Sequence, residues 1–240
     1  MFKPNIMNKT IVVTGATKGI GKAIAEKFLS AHYDVVICAR SQTDLETLQQ
    51  AWTQQYPQQN IYIFAADFSK EQEVKDFATY ILTQLTTIDV LVNNAGIFLP
   101  GNMLEEEDHQ LKAMMDVNLM SAYYLTKALF PRLKAQQSGH IINICSVASL
   151  HSYGGGTSYS VSKYALLGFS DNIRTTCRPH GIKVTAICPG PTMSHSWEGS
   201  GIDETKLMKA SDVADIIWQT AQLSIQACVE RVVLNPMEVL

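Results

Sequence analysis

The chain has 240 residues, 46% hydrophobic and 17% charged, which excludes both a disordered tract and a collagen-like repeat. That length suffices for one large domain with a full core, needing no disulfide or metal staple. Nineteen Lys and Arg against 22 Asp and Glu give a net charge of −3, so no basic field exists to hold a phosphate backbone and no nucleic-acid partner is expected.

Short β-branched runs alternate with longer segments of helical period along the whole chain. The predicted strands are Thr10 to Thr14, Val35 to Ala39, Ile61 to Ala65, Val90 to Val92, His140 to Cys145, Lys183 to Ile187 and Arg231 to Leu234. Helices fit between them; in the first, Ile20 to Ala31, the stripe Ile20, Ile24, Phe28 and Ala31 turns inward while Lys22, Glu26 and Lys27 face water. Such alternation predicts an α/β fold, a doubly wound parallel sheet covered on both faces. No linker or repeat divides residues 1–240, which read as a single domain. The Gln-rich stretch 49–59 reads as a solvated helix end plus a loop.

The longest apolar run, Ile61 to Ala66, falls far short of the roughly 20 residues a spanning helix needs. With no secretory pattern at Met1 to Asn5 and no prenylation cysteine at the other end, a cytoplasmic address is expected. The five cysteines, Cys38, Cys145, Cys177, Cys188 and Cys228, lack any C-x-x-C pairing and read as reduced core thiols. The six histidines show no zinc-binding spacing, so no metal is expected. The acidic run Glu105 to Asp108 precedes a helical segment whose positive end it suits.

Four segments carry chemistry. The first, Gly15-Ala16-Thr17-Lys18-Gly19-Ile20-Gly21, links a strand to a helix: Gly15 permits a sharp turn, Gly19 a close approach to a pyrophosphate, and Gly21 tight helix packing. The second, Asn93-Asn94-Ala95-Gly96, follows the fourth strand, and Asn118 lies beyond it in a helix, where an amide has poor propensity and needs a bonding partner. The third has Ser146 at the end of the fifth strand, then Tyr159 and Lys163 four residues apart, which puts phenol and ammonium on one helix face. An adjacent cation is expected to lower the phenol pKa from its ordinary value of about 10. The fourth, Pro189-Gly190, opens a loop over 189–209 that mixes Pro, Gly, Ser, His and Trp197 and reads as a substrate lid.

The glycine turn, Asn93-Asn94-Ala95-Gly96, Asn118, Ser146, Tyr159, Lys163 and Pro189-Gly190 together resemble the short-chain dehydrogenase/reductase family over nearly the whole chain. The resemblance implies a Rossmann-type domain with about seven parallel strands, a nicotinamide cofactor and an Asn118-Ser146-Tyr159-Lys163 tetrad. On it, Tyr159 is the general acid in carbonyl reduction and the base in reverse, and Ser146 polarises the substrate oxygen. Lys163 holds the nicotinamide ribose, and Asn118 anchors a relay water. The resemblance also gives the cofactor Gly15, Thr17, Lys18, Gly19, Ile20, Gly21, Phe68, Asn94, Ala95, Gly96, Pro189, Gly190 and Thr192, and sets Asp67 at the adenine edge. Thr192 and Ser194 depart slightly from the family's usual continuation after Pro-Gly.

A carboxylate at the end of the second strand would chelate the ribose hydroxyls of NAD; Ala39 stands there, followed by Arg40 and Ser41, with Lys18 in the glycine turn. NADP(H) is therefore expected, its extra phosphate met by two cations and a helix end capped by Ser41. His151, Tyr153 and Trp197 are candidate walls of the substrate pocket. The expected activity is reduction of a small-molecule ketone to an alcohol, first of all a 3-oxoacyl thioester. The alternatives are a sepiapterin reductase-like or small hydroxy-compound dehydrogenase and, in another class, a non-catalytic NADP-sensing protein. The apolar face from Met114 to Ala128, with Leu119, Tyr123 and Leu125, is expected to join subunits into a homodimer or homotetramer, as in family members.

Overall fold

The computed structural model describes residues 8–152, 154–194 and 203–238. Seven strands form one sheet: β1 (Thr10–Thr14), β2 (Asp34–Ala39), β3 (Ile61–Ala65), β4 (Val90–Asn93), β5 (Gly139–Ile144), β6 (Ile182–Pro189) and β7 (Arg231–Leu234). Every pairing is parallel and the spatial order is β3-β2-β1-β4-β5-β6-β7. The chain builds outward from β1 to β3, then returns to add β4 on the opposite side, so the order reverses between β1 and β4. A crevice opens beyond the strand ends at such a reversal. The predicted strands all occur, but β5 ends at Ile144, before Cys145, and β6 runs on to Pro189.

Central strands are buried on both faces, which is why β1 and β2 read as unbroken apolar runs. On one face lie α1 (Gly19–Ser30), α2 (Gln42–Gln55) and α7 (Ala210–Gln222). There Phe28 sits edge-on to Tyr33 and Trp218, with centroids 5.0 and 5.1 Å away. Burying such a ring is worth roughly 1.5–3 kcal/mol. On the other face are α3 (Glu71–Gln84), α5 (Ser121–Gln136) and α6 (Thr157–Cys177). A short α4 (His109–Met115) joins α5 through a π-helical turn, Asp116–Met120.

The Gln-rich stretch is a solvated helix end plus a loop as expected, with Trp52 turned inward. The Met114 to Ala128 face divides: Leu125 belongs to the core, whereas Tyr123 is exposed. Four of the five cysteines are buried free thiols as expected, and Cys228 is half-buried.

A row of buried polar groups crosses the second face. The Asn93 amide donates to Thr126 Oγ1 at 3.1 Å and to Asn143 Oδ1 at 2.8 Å, and the Asn143 amide donates to Ser170 Oγ at 2.8 Å. The row ties α5, β4, β5 and α6 together just below the crevice.

Candidate active site

The glycine turn sits at the carboxyl end of β1. Gly15 and Gly19 have φ of +65° and +55°, conformations that side-chain-bearing residues avoid. Gly21 has no room for a Cβ: one would strike the Gly15 carbonyl oxygen and lie 2.5 Å from Asn94 Nδ2. Lys18 precedes α1 without a side-chain cap, leaving the first-turn amides of that helix for an anion. Thr17 and Ile20 flank this end, half-buried. Asn94 braces the turn, its amide donating to Thr14 O at 2.8 Å and Gly15 O at 3.0 Å, while Ala95 packs against Gly15. Thr14 was not singled out from sequence, yet its hydroxyl accepts from Asn94 N and Ala95 N, both at 2.9 Å. A threonine ending a strand carries no distinguishing signal by itself.

The structure brings all four tetrad residues to one end of β5. Ser146 stands one residue beyond the end of that strand, after Cys145, and starts a 3-10 turn, its Oγ accepting from Ala148 N at 3.1 Å. The Ser146 hydroxyl is close enough to the Tyr159 phenol to favour its ionised form. Lys163 is buried, donates from Nζ to Ile144 O at 2.8 Å, and lies 5.9 Å from the centroid of the Tyr159 ring. Asn118 occupies the π-helical turn, a helical irregularity often found at functional sites. Its amide clamps Ile97, accepting from Ile97 N at 2.7 Å and donating to Ile97 O at 3.0 Å. It also donates to Ser162 Oγ at 2.9 Å, and Ser162 in turn donates to Tyr159 O at 2.7 Å. A Cβ on Gly96 would lie 3.2 Å from Asn118 Oδ1 and 3.4 Å from Lys163 Nζ, so the missing side chain lets those groups converge. Ser162 was missed because a serine inside a helix most often just bonds the preceding turn.

The electrostatics differ from expectation at one point. Burial pushes the Tyr159 phenol above its ordinary pKa, and the Ser146 hydroxyl opposes that rise. Burial likewise pulls Lys163 below its usual value. The expected lowering of the phenol by Lys163 is therefore corrected: desolvation dominates here, and Ser146 is the group that favours the phenolate.

Arg40 follows β2 and is exposed, beside the Asp67 carboxylate. Ser41 caps α2, accepting from Asp44 N at 3.1 Å. Among the described residues neither Arg40 nor Lys18 forms an ion pair. Asp67 accepts from the Ser69 amide and hydroxyl at 3.0 and 2.8 Å, bonds that hold its carboxyl below the usual range. The Phe68 ring faces the core against Phe77, so only its backbone borders the crevice.

Pro189 ends β6, and Gly190 N donates to Leu234 O at 2.7 Å. Thr192 is buried, its hydroxyl donating to Gly190 O at 2.9 Å. The base of the predicted lid is clasped: Met193 N donates to Met208 O at 2.8 Å and Met208 N to Pro191 O at 3.1 Å. Ser194 Cβ lies 3.3 Å from where a Gly19 side chain would begin, so this arm reaches across to the glycine turn. His151 is described and exposed; Tyr153 and Trp197 lie outside the described residues. Phe98 stands edge-on to Tyr159 at 5.1 Å, an aromatic wall that sequence reasoning passed over.

A parallel sheet that reverses beside a glycine turn, with Ser, Tyr, Lys and Asn gathered at its carboxyl edge, defines a dinucleotide-binding α/β fold with an acid–base site. The chain belongs to the short chain dehydrogenase family, whose model matches residues 9–204. It is 30% identical to a sepiapterin reductase of Chlorobaculum tepidum, covering 96% of this chain and 97% of that one. It is also 30% identical to an NADP-dependent 3-hydroxy acid dehydrogenase of Salmonella typhi, covering 95% and 94%. A metagenomic short-chain oxidoreductase solved in complex with NADP superposes with a TM-score of 0.82 at 29% identity, covering 97% of this chain and 99% of that one. No helix among the described residues is long and apolar enough to cross a membrane.

Proposed function

We propose that this chain is an NADPH-dependent carbonyl reductase in which Tyr159 is the general acid. The observation that carries the reading is the convergence of Ser146, Tyr159 and the buried Lys163 at the carboxyl end of β5, with Lys163 Nζ 5.9 Å from the centroid of the Tyr159 ring. NADPH supplies a hydride when bound. The glycine turn, the uncapped start of α1 and the Cβ-free pocket at Gly96 fit that group. Arg40, Lys18 and the capped start of α2 fit a 2′-phosphate, and Ala39 offers no carboxylate to repel it. The relatives named for NADP support the same choice.

In reduction, Ser146 donates a hydrogen bond to the substrate carbonyl oxygen and polarises it. Tyr159 then transfers its phenolic proton to that oxygen as the hydride reaches the carbon, giving the alcohol. Lys163 and Asn118 converge at Gly96, and Asn118 reaches the Tyr159 backbone through Ser162, which fixes the tyrosine in place. A 3-oxo compound, acid or thioester, is the first substrate class, supported by the 3-hydroxy acid dehydrogenase relative. A pteridine ketone is the second reading, supported by the sepiapterin reductase relative that the chain covers almost completely. The intact tetrad speaks against a sensor without turnover. The protein works as a single domain in the cytoplasm and associates through its exposed helical faces, including Tyr123 and Tyr164.

NADPH oxidation over 3-oxoacyl thioesters, 3-oxo acids, pteridines and diketones tests the reading. Tyr159→Phe lowers kcat by about 10²- to 10⁴-fold while NADPH affinity persists. Arg40→Ala raises the KM for NADPH about tenfold and leaves that for NADH unchanged. Undiminished turnover in Tyr159→Phe, or equal kcat/KM for NADH and NADPH in the wild type, defeats the respective half.

A further inference from the structure

Cys145 and Cys188 lie side by side directly beneath the catalytic serine. In the β5–β6 register Ile144 pairs with Ile187, and the ladder continues one step further, Cys145 N donating to Ile187 O at 2.7 Å. The next pair in line is Cys145 and Cys188. Residues at equal positions on neighbouring strands point to the same face. Both side chains accordingly belong to one apolar cluster under α6, with Leu166, Leu167 and Ala186. Neither has a part in the hydride and proton transfers above.

We propose that Cys145 and Cys188 form an oxidative modification site, a dithiol that hydrogen peroxide converts to a reversible disulfide and that thereby switches off the adjoining active site. The chemistry balances with one peroxide. The Cys188 sulfur attacks a peroxide oxygen; an S–O bond forms, the O–O bond breaks and one water leaves after proton uptake. The Cys145 sulfur then attacks Cys188; the S–S bond forms, the S–O bond breaks and a second water leaves. Two thiols are oxidised by two electrons and the peroxide is reduced to two waters.

The surroundings assign the roles. Contact with the Cys145 thiol, with Arg231 and Lys163 nearby, holds the Cys188 pKa below the ordinary thiol value. Cys145 is pushed the other way, by contact with Cys188 and by burial, and so suits the resolving thiol. Both thiols are 2% exposed or less, and Cys145 directly precedes Ser146 in the chain. Parallel neighbours stand about 4.8 Å apart, inside the range of about 4.4–6.8 Å that disulfide-linked Cα atoms span, so the register allows the bond. Turning the two thiols into the bond shifts the residues that directly precede Ser146 on one strand and Pro189-Gly190 on the other, which couples the bond to the site.

The experiment treats the full chain, without added cofactor, with hydrogen peroxide, followed by non-reducing peptide mapping and by ketone turnover. The expected result is a cross-linked peptide pair holding Cys145 and Cys188, lighter by two hydrogen atoms, together with at least a tenfold fall in kcat that dithiothreitol reverses. Cys145→Ser and Cys188→Ser should each resist inactivation. Should either variant misfold, the wild-type peptide map decides alone. Thiols 145 and 188 that stay reduced while Cys228 is oxidised overturn the site; a cross-link without loss of turnover overturns the switch. The mapping does not rely on the proposed reaction, so failure of that reading would show as absent turnover before any oxidation.

Discussion

Glu106 closes the amino end of the helix that carries Tyr159. Its carboxylate accepts from Ser158 N at 2.9 Å and from the Ser158 hydroxyl, while the residue at the helix's own cap position, Gly156, offers no side chain. The cap thus comes from a loop that is distant in sequence. Backbone bonds from Gly101 N to Gly155 O and from Thr157 N to Gly101 O pin the same loop to the approach of α6.

Glu106→Ala should cost about 1 kcal/mol, the usual worth of a cap, and lower the melting temperature by about 2–4 °C. It should also reduce kcat more than it raises KM, because Tyr159 loses its anchored neighbour. Glu106→Gln, which keeps an acceptor for Ser158 N, should recover most of both. Thermal melts with steady-state kinetics on the two variants check this; an alanine variant matching the wild type in both would count against it.

Burial sets the titration of Tyr159. With its pKa raised, the phenol stays protonated at neutral pH and is ready to donate in reduction. An ultraviolet difference titration of the free wild type against Tyr159→Phe should show a phenol ionising above the ordinary value of about 10. Ser146→Ala, which removes the hydroxyl favouring the phenolate, should move that ionisation higher still.

His140 is buried in β5, its Nε2 2.7 Å from Thr185 Oγ1, and burial pushes its pKa down to about 3. The unfolded imidazole titrates near 6.5, so between about pH 6.5 and pH 3 the unfolded chain binds one more proton than the folded one. Stability should therefore fall as pH drops through that window, by about 1.4 kcal/mol per pH unit from this residue. Urea unfolding at pH 7, 6 and 5 tests it, and His140→Gln should show a shallower decline.

Gly21→Ala should abolish tight cofactor binding, raising the NADPH Kd more than about tenfold, because the added methyl meets the Gly15 carbonyl and Asn94. Gly168, inside α6, has nothing within 4 Å of a Cβ. Gly168→Ala should stabilise the fold by about 0.5–1 kcal/mol with no change in binding. Calorimetric titration with NADPH and thermal melts separate the two effects.

The strands were legible because buried parallel strands need β-branched runs on both faces, and Thr10 to Thr14 and Ile61 to Ala65 fall where they were predicted. The tetrad was legible because Tyr159 and Lys163 keep a helical spacing. What escaped were contacts between distant segments. The acidic run suggested a cap for the helix following it, whereas Glu106 serves α6. Likewise Cys145 and Cys188 read as scattered until the β5–β6 register placed them together. Periodicity reports which face a side chain takes, but not which partner arrives there.

The amide row from Thr126 to Ser170 bears on how the strands find their alignment. Apolar runs such as Val90 to Val92 and Ile141 to Ile142 could slide past each other by two residues and still hide their oily faces. Asn93 and Asn143 forbid that, since a slipped pairing would bury each amide opposite an aliphatic chain at a cost of about 1–3 kcal/mol apiece. They act as alignment pins. Because Asn94 to Gly96 and Ser146 begin within three residues of those pins, the frame that the amides lock during folding is also the frame in which the reacting groups meet.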